Sequence, residues 1–339
     1  MSSITLTTIV SVALAWYGYG VWSMVIGYVA GNILSTVILI YYGIRFWKPG
    51  FKFETKGLGE FVKFGQYQIG ERVMIFLNSR IDQILVATLI GTQALGIYTI
   101  AHNFVVGPTI RINQIISTVM FPVFARMQDD LEALRKGYLK LLKVATILNT
   151  PILLGIAITA PVIVPMLYKP EWYDAIYILQ ILSIYALIRS TGSPAGSLQL
   201  ARGRADLGFK WNLGLIFVSA PVIYAGSLLG GLTGIAWSQI ALQASLFVPY
   251  WYLMIKPLIG PPGKSYFFAI FDALVPGIFM GTSVWVVWLV TPTVSPLLRL
   301  ALMISSGVVL FVIFVYRSER QLFDEVKELV SNKYFRKNV

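Results

Sequence analysis

The sequence predicts an all-α, polytopic membrane helix bundle of about ten transmembrane helices, and three observations carry that reading. The first is composition: 57% of the 339 residues are hydrophobic and only 12% are charged, whereas soluble domains carry about 25% charged residues. So few charges cannot cover a globular surface. The second is segmentation into apolar stretches near the roughly 20 residues that a spanning helix needs. The third is the placement of the basic residues.

The apolar stretches run, in order, over 3–17, 21–42, 60–89, 94–124, 137–167, 174–200, 206–229, 232–256, 265–290 and 296–317. The first lacks a positive n-region between Met1 and Thr8 and a small-residue cleavage site before Trp16, so it reads as an uncleaved helix rather than a signal peptide. After the second come Arg45, Lys48, Lys52 and Lys56; after the fourth, Arg126, Arg135 and Lys136, with Lys140 and Lys143 close behind. Arg202, Arg204 and Lys210 follow the sixth, and Lys256 and Lys264 the eighth. Arg317, Arg320, Lys327, Lys333, Arg336 and Lys337 follow the tenth. The alternate connections, 18–20, 90–93, 168–173, 230–231 and 291–295, hold only Lys169. This alternation is what the excess of Lys and Arg in cytoplasmic loops produces. It predicts a multi-pass protein of the cytoplasmic (inner) membrane with both termini in the cytoplasm. The stretch after Arg317 is too polar to span; Leu322, Val326, Leu329 and Val330 recur at helical spacing, with Ser318 as a possible N-cap. An amphipathic tail along the cytoplasmic surface is expected.

Several function classes fall away. The net charge of +12 is spread over separate connections, without a compact basic domain, so nucleic acid is not expected as a partner. The chain has no cysteine and one histidine, which removes disulfides and thiolate chemistry and argues against a zinc site; no metal or cofactor is expected. There is no Walker A loop, GxSxG elbow or HExxH motif, so no catalytic residues are assigned and the chain is not read as an enzyme. Asp129-Asp130 reads as a helix cap or solvated turn rather than a metal–nucleotide site.

The informative residues are polar groups within apolar segments, since charge near a bilayer centre is costly and faces a bundle interior or watery cavity. On the third helix, Gln68, Glu71, Arg72, Asn78, Ser79, Asp82 and Gln83 share a stripe about 140° wide, with Arg80 off its edge. The stripe reads either as the wall of a hydrated substrate cavity or as a neutralised set, Glu71 and Asp82 paired with Arg72 and Arg80, that locks helices. On the fourth helix, Thr99, His102, Asn103, Thr109, Asn113, Gln114 and Ser117 gather on one side. Pro108 can kink this helix, and Arg111 has no acidic neighbour in it. An interhelical hydrogen bond suits His102 better than a proton-carrying role. The sixth helix breaks around Arg189-Ser190-Thr191-Gly192-Ser193-Pro194, which reads equally as a substrate-site interruption or a plain proline kink. Asp272 is a lone carboxylate in the ninth. The candidate substrate cavity therefore comprises Glu71, Arg72, Asp82, His102, Asn103, Arg111 and Arg189.

From about residue 18 onward the punctuation resembles a known family. The residues are Gly20-Val21-Trp22, Phe64-Gly65, Asp82, Gly91, Leu95-Gly96-Ile97-Tyr98, Ala101, Pro108, Phe121-Pro122 and Gln128-Asp129-Asp130, then Trp172, Leu179-Gln180-Ile181-Leu182 and Ala201-Arg202-Gly203-Arg204. In order and spacing they resemble the polysaccharide-exporting branch of the multidrug/oligosaccharidyl-lipid/polysaccharide (MOP) flippase superfamily, notably the bacterial O-antigen and exopolysaccharide flippases. The resemblance implies a MATE-like fold of two lobes that alternate access to a central cavity. It implies a polyprenyl-diphosphate-linked oligosaccharide as substrate, moved across the cytoplasmic membrane for O-antigen (lipopolysaccharide), capsule or exopolysaccharide biosynthesis. Membrane lipids and polysaccharide polymerase or export machinery are the implied partners. By that mapping about four N-terminal helices are lacking: residues 1–57 hold the last two helices of the first lobe and a linker, 58–317 an eight-helix second lobe, and 318–339 the tail. The related peptidoglycan-precursor flippases carry an acidic–basic pair near His102-Asn103, so that chemistry does not carry over. Rival expectations are a cation-coupled multidrug exporter of the same fold and a membrane-embedded polysaccharide polymerase or ligase. The latter needs a large outer loop, and the longest here is about 168–173.

Overall fold

A computed structural model describes residues 2–46, 58–192, 194–261 and 263–318. Among them there is no β-strand; helices are joined by short turns. The expected amphipathic tail, Lys48, Lys52, Lys56 and Ser193 lie outside the described residues.

The chain forms two compact units, Met1–Gly59 and Glu60–Val339. In the first, α1 (Ser2–Trp16) and α2 (Trp22–Phe46) pack together as a hairpin. Its turn uses Gly18 and Gly20 at φ +83° and +51°, the left-handed region that favours glycine.

The second unit contains α3 (Leu58–Asn78), α4 (Ile81–Leu89), α5 (Thr92–Arg126), α6 (Leu131–Leu167), α7 (Ala175–Ser190), α8 (Ala195–Ala201) and α9 (Ala205–Ser245). After these come α10 (Phe247–Tyr250), a π-helical turn at Trp251–Ile255, α11 (Lys256–Ile259), α12 (Lys264–Val290) and α13 (Pro296–Ser318). Grouping the broken helices gives ten rods. α3 with α4 makes one and α7 with α8 another, while α9 divides at Gly230 and Gly231, where φ is −157° and +55°. Among the described residues seven helical stretches meet a strict length-and-hydropathy criterion for crossing a membrane. α1 falls short in length, α3–α4 is charge-bearing, and α9 counts once although it doubles back. The hairpin within α9 closes tightly: a Cβ on Gly226 would stand 2.6 Å from the Gly234 carbonyl oxygen, and one on Gly234 would strike the Gly226 carbonyl.

The expected single third helix, 60–89, is a correction. Ser79 Oγ donates to Phe76 O (2.8 Å), a local bond that satisfies a carbonyl of the last turn where the helix stops, and Asn78 Nδ2 reaches across to Asn212 O of α9 (2.8 Å). It restarts after Arg80, with Asp82 in the first turn of α4, where the helix dipole favours a carboxylate.

One end of the unit carries the turns near 90–91, 168–173, 230–231 and 291–295; the opposite end carries the basic connections. At the basic end Asp130 caps α6, its Oδ1 accepting from Glu132 N and Ala133 N, each at 3.0 Å. Arg135 donates to Ile259 O (3.0 Å) and Arg202 to Gln128 O (2.6 Å), tying loops to helix ends. At the other end Arg299 donates to Trp288 O and lies over the Trp288 ring at 5.3 Å, an arginine held at the rim by an aromatic.

Two buried clusters stack along the unit. Val86, Tyr98, Leu153, Leu179 and Ile235 belong to the one nearer the charge-poor end. Phe124, Tyr138, Leu142, Leu198 and Tyr266 belong to the basic half. A third, Val162, Met280, Val284 and Met303, joins α6, α12 and α13. The outward faces remain apolar: Phe217, Leu228, Val290 and Leu297 are each 70% exposed or more. Such continuous apolar surface suits lipid rather than water.

Candidate functional site

The structure divides the polar residues of α3 and α4 into two levels, one on each side of the break at Ser79-Arg80. On the charge-poor side, buried Asp82 Oδ2 accepts from Tyr98 Oη on α5 (2.6 Å) and from Gln239 Nε2 on α9 (3.1 Å). Gln239 Nε2 also donates to Tyr98 Oη (2.6 Å), closing a three-residue ring of hydrogen bonds. Gln83 N donates to Asp82 Oδ1 at 2.8 Å. Next to this ring the Gln83 amide donates to His102 Nδ1 (3.3 Å), so His102 makes the interhelical bond that suits it. Its imidazole stacks near the Tyr98 ring, with centroids 6.0 Å apart. The charges that His102 feels are Asp82, Arg189 and Arg80. Arg189 donates to Tyr185 Oη (2.8 Å) and its side chain remains exposed. Arg80 is exposed and donates to Gln83 Oε1 at 3.0 Å.

On the basic side, buried Glu71 accepts from Gln199 Nε2 of α8. The carboxylate lies against the backbone of Gly208: a Cβ there would collide with Glu71 Oε1 and Gln199 Nε2, so α9 can approach only with glycine at this point. Beside this pair is a cavity of about 260 Å³ lined by Gln68, Glu71, Arg72, Ser117, Phe121 and Gln199, among others. On the α8 side it is lined by Gly196, Ser197, Gln199 and Leu200, which follow the interruption expected around Arg189–Pro194. Gly192 O at that interruption accepts from Tyr250 Oη (2.8 Å), so one freed carbonyl has a protein partner.

The candidate residues are thus partly gathered. Glu71 and Arg72 share the cavity, while Asp82, His102 and Arg189 belong to the charge-poor level. Arg111 and Asn103 are exposed on α5, and neither lines the cavity. Among the described residues neither Glu71 nor Asp82 makes an ion pair within 4.0 Å, so the pairing with Arg72 and Arg80 is not formed. Asp272 is exposed. Tyr98, Gln199 and Gln239 were not singled out as site residues from sequence, although Gln199 and Gln239 are polar interruptions of apolar runs that should attract attention. No group of three or more metal-ligating side chains occurs among the described residues.

Broken helices, lipid-suited outer faces and carboxylates held by neutral donors in the interior define a polytopic membrane protein with a polar interior. A family model described as "Polysaccharide biosynthesis protein" matches residues 1–177, and the chain belongs to that family. A solved structure of the lipid II flippase MurJ in an inward closed conformation matches with a TM-score of 0.69 at 17% identity, over 95% of this chain and 67% of that one. The lipopolysaccharide biosynthesis protein WzxC of Escherichia coli (strain K12) is 32% identical over 242 residues, 71% of this chain and 49% of the relative. The teichuronic acid biosynthesis protein TuaB of Bacillus subtilis (strain 168) is 29% identical over 303 residues, 88% of this chain and 62% of the relative. The chain therefore spans between about half and just under two thirds of the length of these relatives. Two residues of the shared punctuation, Gly96 and Trp172, meet in the structure. A Cβ at Gly96 would stand 2.7 Å from the indole, so the motif records a helix–loop contact.

Proposed function

We propose that the protein acts in moving a polyprenyl-diphosphate-linked oligosaccharide from the cytoplasmic to the outer leaflet of the cytoplasmic membrane, for surface polysaccharide biosynthesis. Alternating access is the mode of transport and both termini are cytoplasmic. The observation that carries the reading is a cavity lined by α3, α5 and α8 that holds an arginine without a contacting carboxylate. Arg72 lines that cavity, and neither Arg72 nor Arg111 forms an ion pair within 4.0 Å among the described residues. A guanidinium left free in this way can offer a planar fork of donors to diphosphate oxygens. Relatives named for lipopolysaccharide and teichuronic acid biosynthesis and the flippase fold support the substrate class. His102, Asn103 and Arg189 belong to the same pathway by this reading, toward the outer side, with buried Asp82 supporting its wall through Tyr98 and Gln239.

The test is surface polysaccharide in cells whose only copy of the gene carries Arg72→Ala, Arg111→Ala or the corresponding Lys substitutions, with membrane insertion measured in parallel. Export falls in the Ala variants and less in the Lys variants, which retain the charge and lose the fork. Normal export from both Ala variants, normally inserted, removes the arginines from recognition.

A further inference from the structure

We propose that the cavity beside Glu71 is a subsite for one neutral sugar ring, the ring next to the diphosphate. This inference rests on the proposed function and names which part of the substrate the cavity receives. The inner wall is rich in acceptors. The Glu71 carboxylate has about four lone-pair sites and accepts one hydrogen bond among the described residues, from Gln199. Gln199 is only 3% exposed, and its Oε1 is buried with no partner among the described residues. Glu71 lines the cavity with lone pairs to spare, so the site favours a ligand that brings donors. Ser197 spends its hydroxyl hydrogen on Pro194 O (3.0 Å), leaving its oxygen as a further acceptor on this wall. The other side is apolar, with Phe121 43% exposed.

Three ligand classes can be weighed against that lining. An anion is disfavoured beside the Glu71 carboxylate, which confines a diphosphate to the Arg72 side. A bare cation needs oxygens close on all sides, which a cavity of about 260 Å³ with an apolar wall does not provide. A pyranose ring matches both surfaces, hydroxyl donors toward Glu71 and C–H groups toward Phe121. The volume is below the roughly 300–1,000 Å³ of pockets for drug-sized ligands, which suits one ring rather than an oligosaccharide.

The test is saturation-transfer NMR on the purified full chain in lipid nanodiscs, with D-glucose, D-galactose, D-mannose and N-acetyl-D-glucosamine as probes. These carry neither lipid nor diphosphate, so the result is independent of export. We expect transfer to at least one of the four, reduced about fivefold by Glu71→Gln, which exchanges a charged acceptor for a neutral one at about 1 kcal/mol. Phe121→Ala alters only an exposed wall residue and should cause a similar loss, while Asp272→Asn leaves the signal unchanged. Transfer to none of the four, or parental signals in both cavity variants, overturns the subsite. Sugar binding without any dependence of polysaccharide export on the protein would instead overturn the proposed function and leave the subsite standing.

Discussion

Replacing Tyr98 by Phe isolates the hydrogen-bond ring that holds Asp82. The ring of Tyr98 is fully buried, so the variant keeps its packing and loses one oxygen. That oxygen donates to Asp82 Oδ2 and accepts from Gln239 Nε2, both at 2.6 Å. A hydrogen bond to a charged group contributes about 1.5–3 kcal/mol and a neutral one about 0.5–1.5. Gln239 Nε2 already reaches Asp82 at 3.1 Å, so much of the neutral contribution is recovered. Interhelical bonds in membranes are also worth less on average than their counterparts in water. The expected loss is therefore near the lower end, about 2 kcal/mol. With roughly 2–4 °C per kcal/mol for domains of 150–250 residues, and less for a longer chain, the melting temperature should fall by about 4 °C. The assay is thermal unfolding of the detergent-solubilised protein. Tyr177→Phe serves as the control, because that hydroxyl is half-exposed and accepts only a 3.3 Å bond from Trp237. In an Asp82→Asn background, where the acceptor is neutral, the cost of Tyr98→Phe should drop to about 1 kcal/mol. Equal melting of Tyr98→Phe and the parent would refute the ring as a stabilising device.

Three further outcomes are expected. Gly234→Ala should destabilise by about 3 kcal/mol, because its Cβ meets the Gly226 carbonyl, whereas Gly214→Ala, with open space, should be neutral or gain about 0.5–1 kcal/mol; similar melting curves for the two would sink the close hairpin. Reporter fusions at Thr92 and Gln128, on the two sides of α5, should report opposite faces of the membrane, and the same face for both would overturn the topology. In the naturally cysteine-free chain, Arg72→Cys and Arg111→Cys should react with membrane-impermeant thiol reagents while buried Asp82→Cys stays inert; an inert Arg111→Cys would mean that this side faces lipid.

The helices were legible because apolar length and Gly or charged punctuation are local signals. The Gly230-Gly231 reversal needs no tertiary knowledge: Gly231 takes φ +55°, and only glycine does so freely. The stop at Ser79-Arg80 was not legible, since Asn78 and Ser79 sit comfortably in many helices. At the end of this one Asn78 bonds the carbonyl of Asn212, 134 residues away. The site shows the same division. Periodicity placed Glu71 and Asp82 on one stripe, but their partners Gln199 and Gln239 lie 128 and 157 residues further along. No pattern within α3 and α4 distinguishes a carboxylate awaiting an arginine from one awaiting an amide.

That distinction matters for what the interior can do. A buried carboxylate can be held by a cation or by neutral donors. Pairing with arginine would fix both charges, and separating such a pair by loss of one partner costs about 3–5 kcal/mol. An arginine so engaged has no inexpensive way to take up a passing anion. Here Glu71 is held by the Gln199 amide, and Asp82 by the Tyr98 hydroxyl and the Gln239 amide. Arg72 feels the Glu71 charge without contacting it within ion-pair distance. The guanidinium is thereby partly balanced and still free to exchange partners. A carrier must bind an anionic head group and then release it, so a cation of intermediate engagement fits the proposed task better than either a locked ion pair or an unbalanced charge.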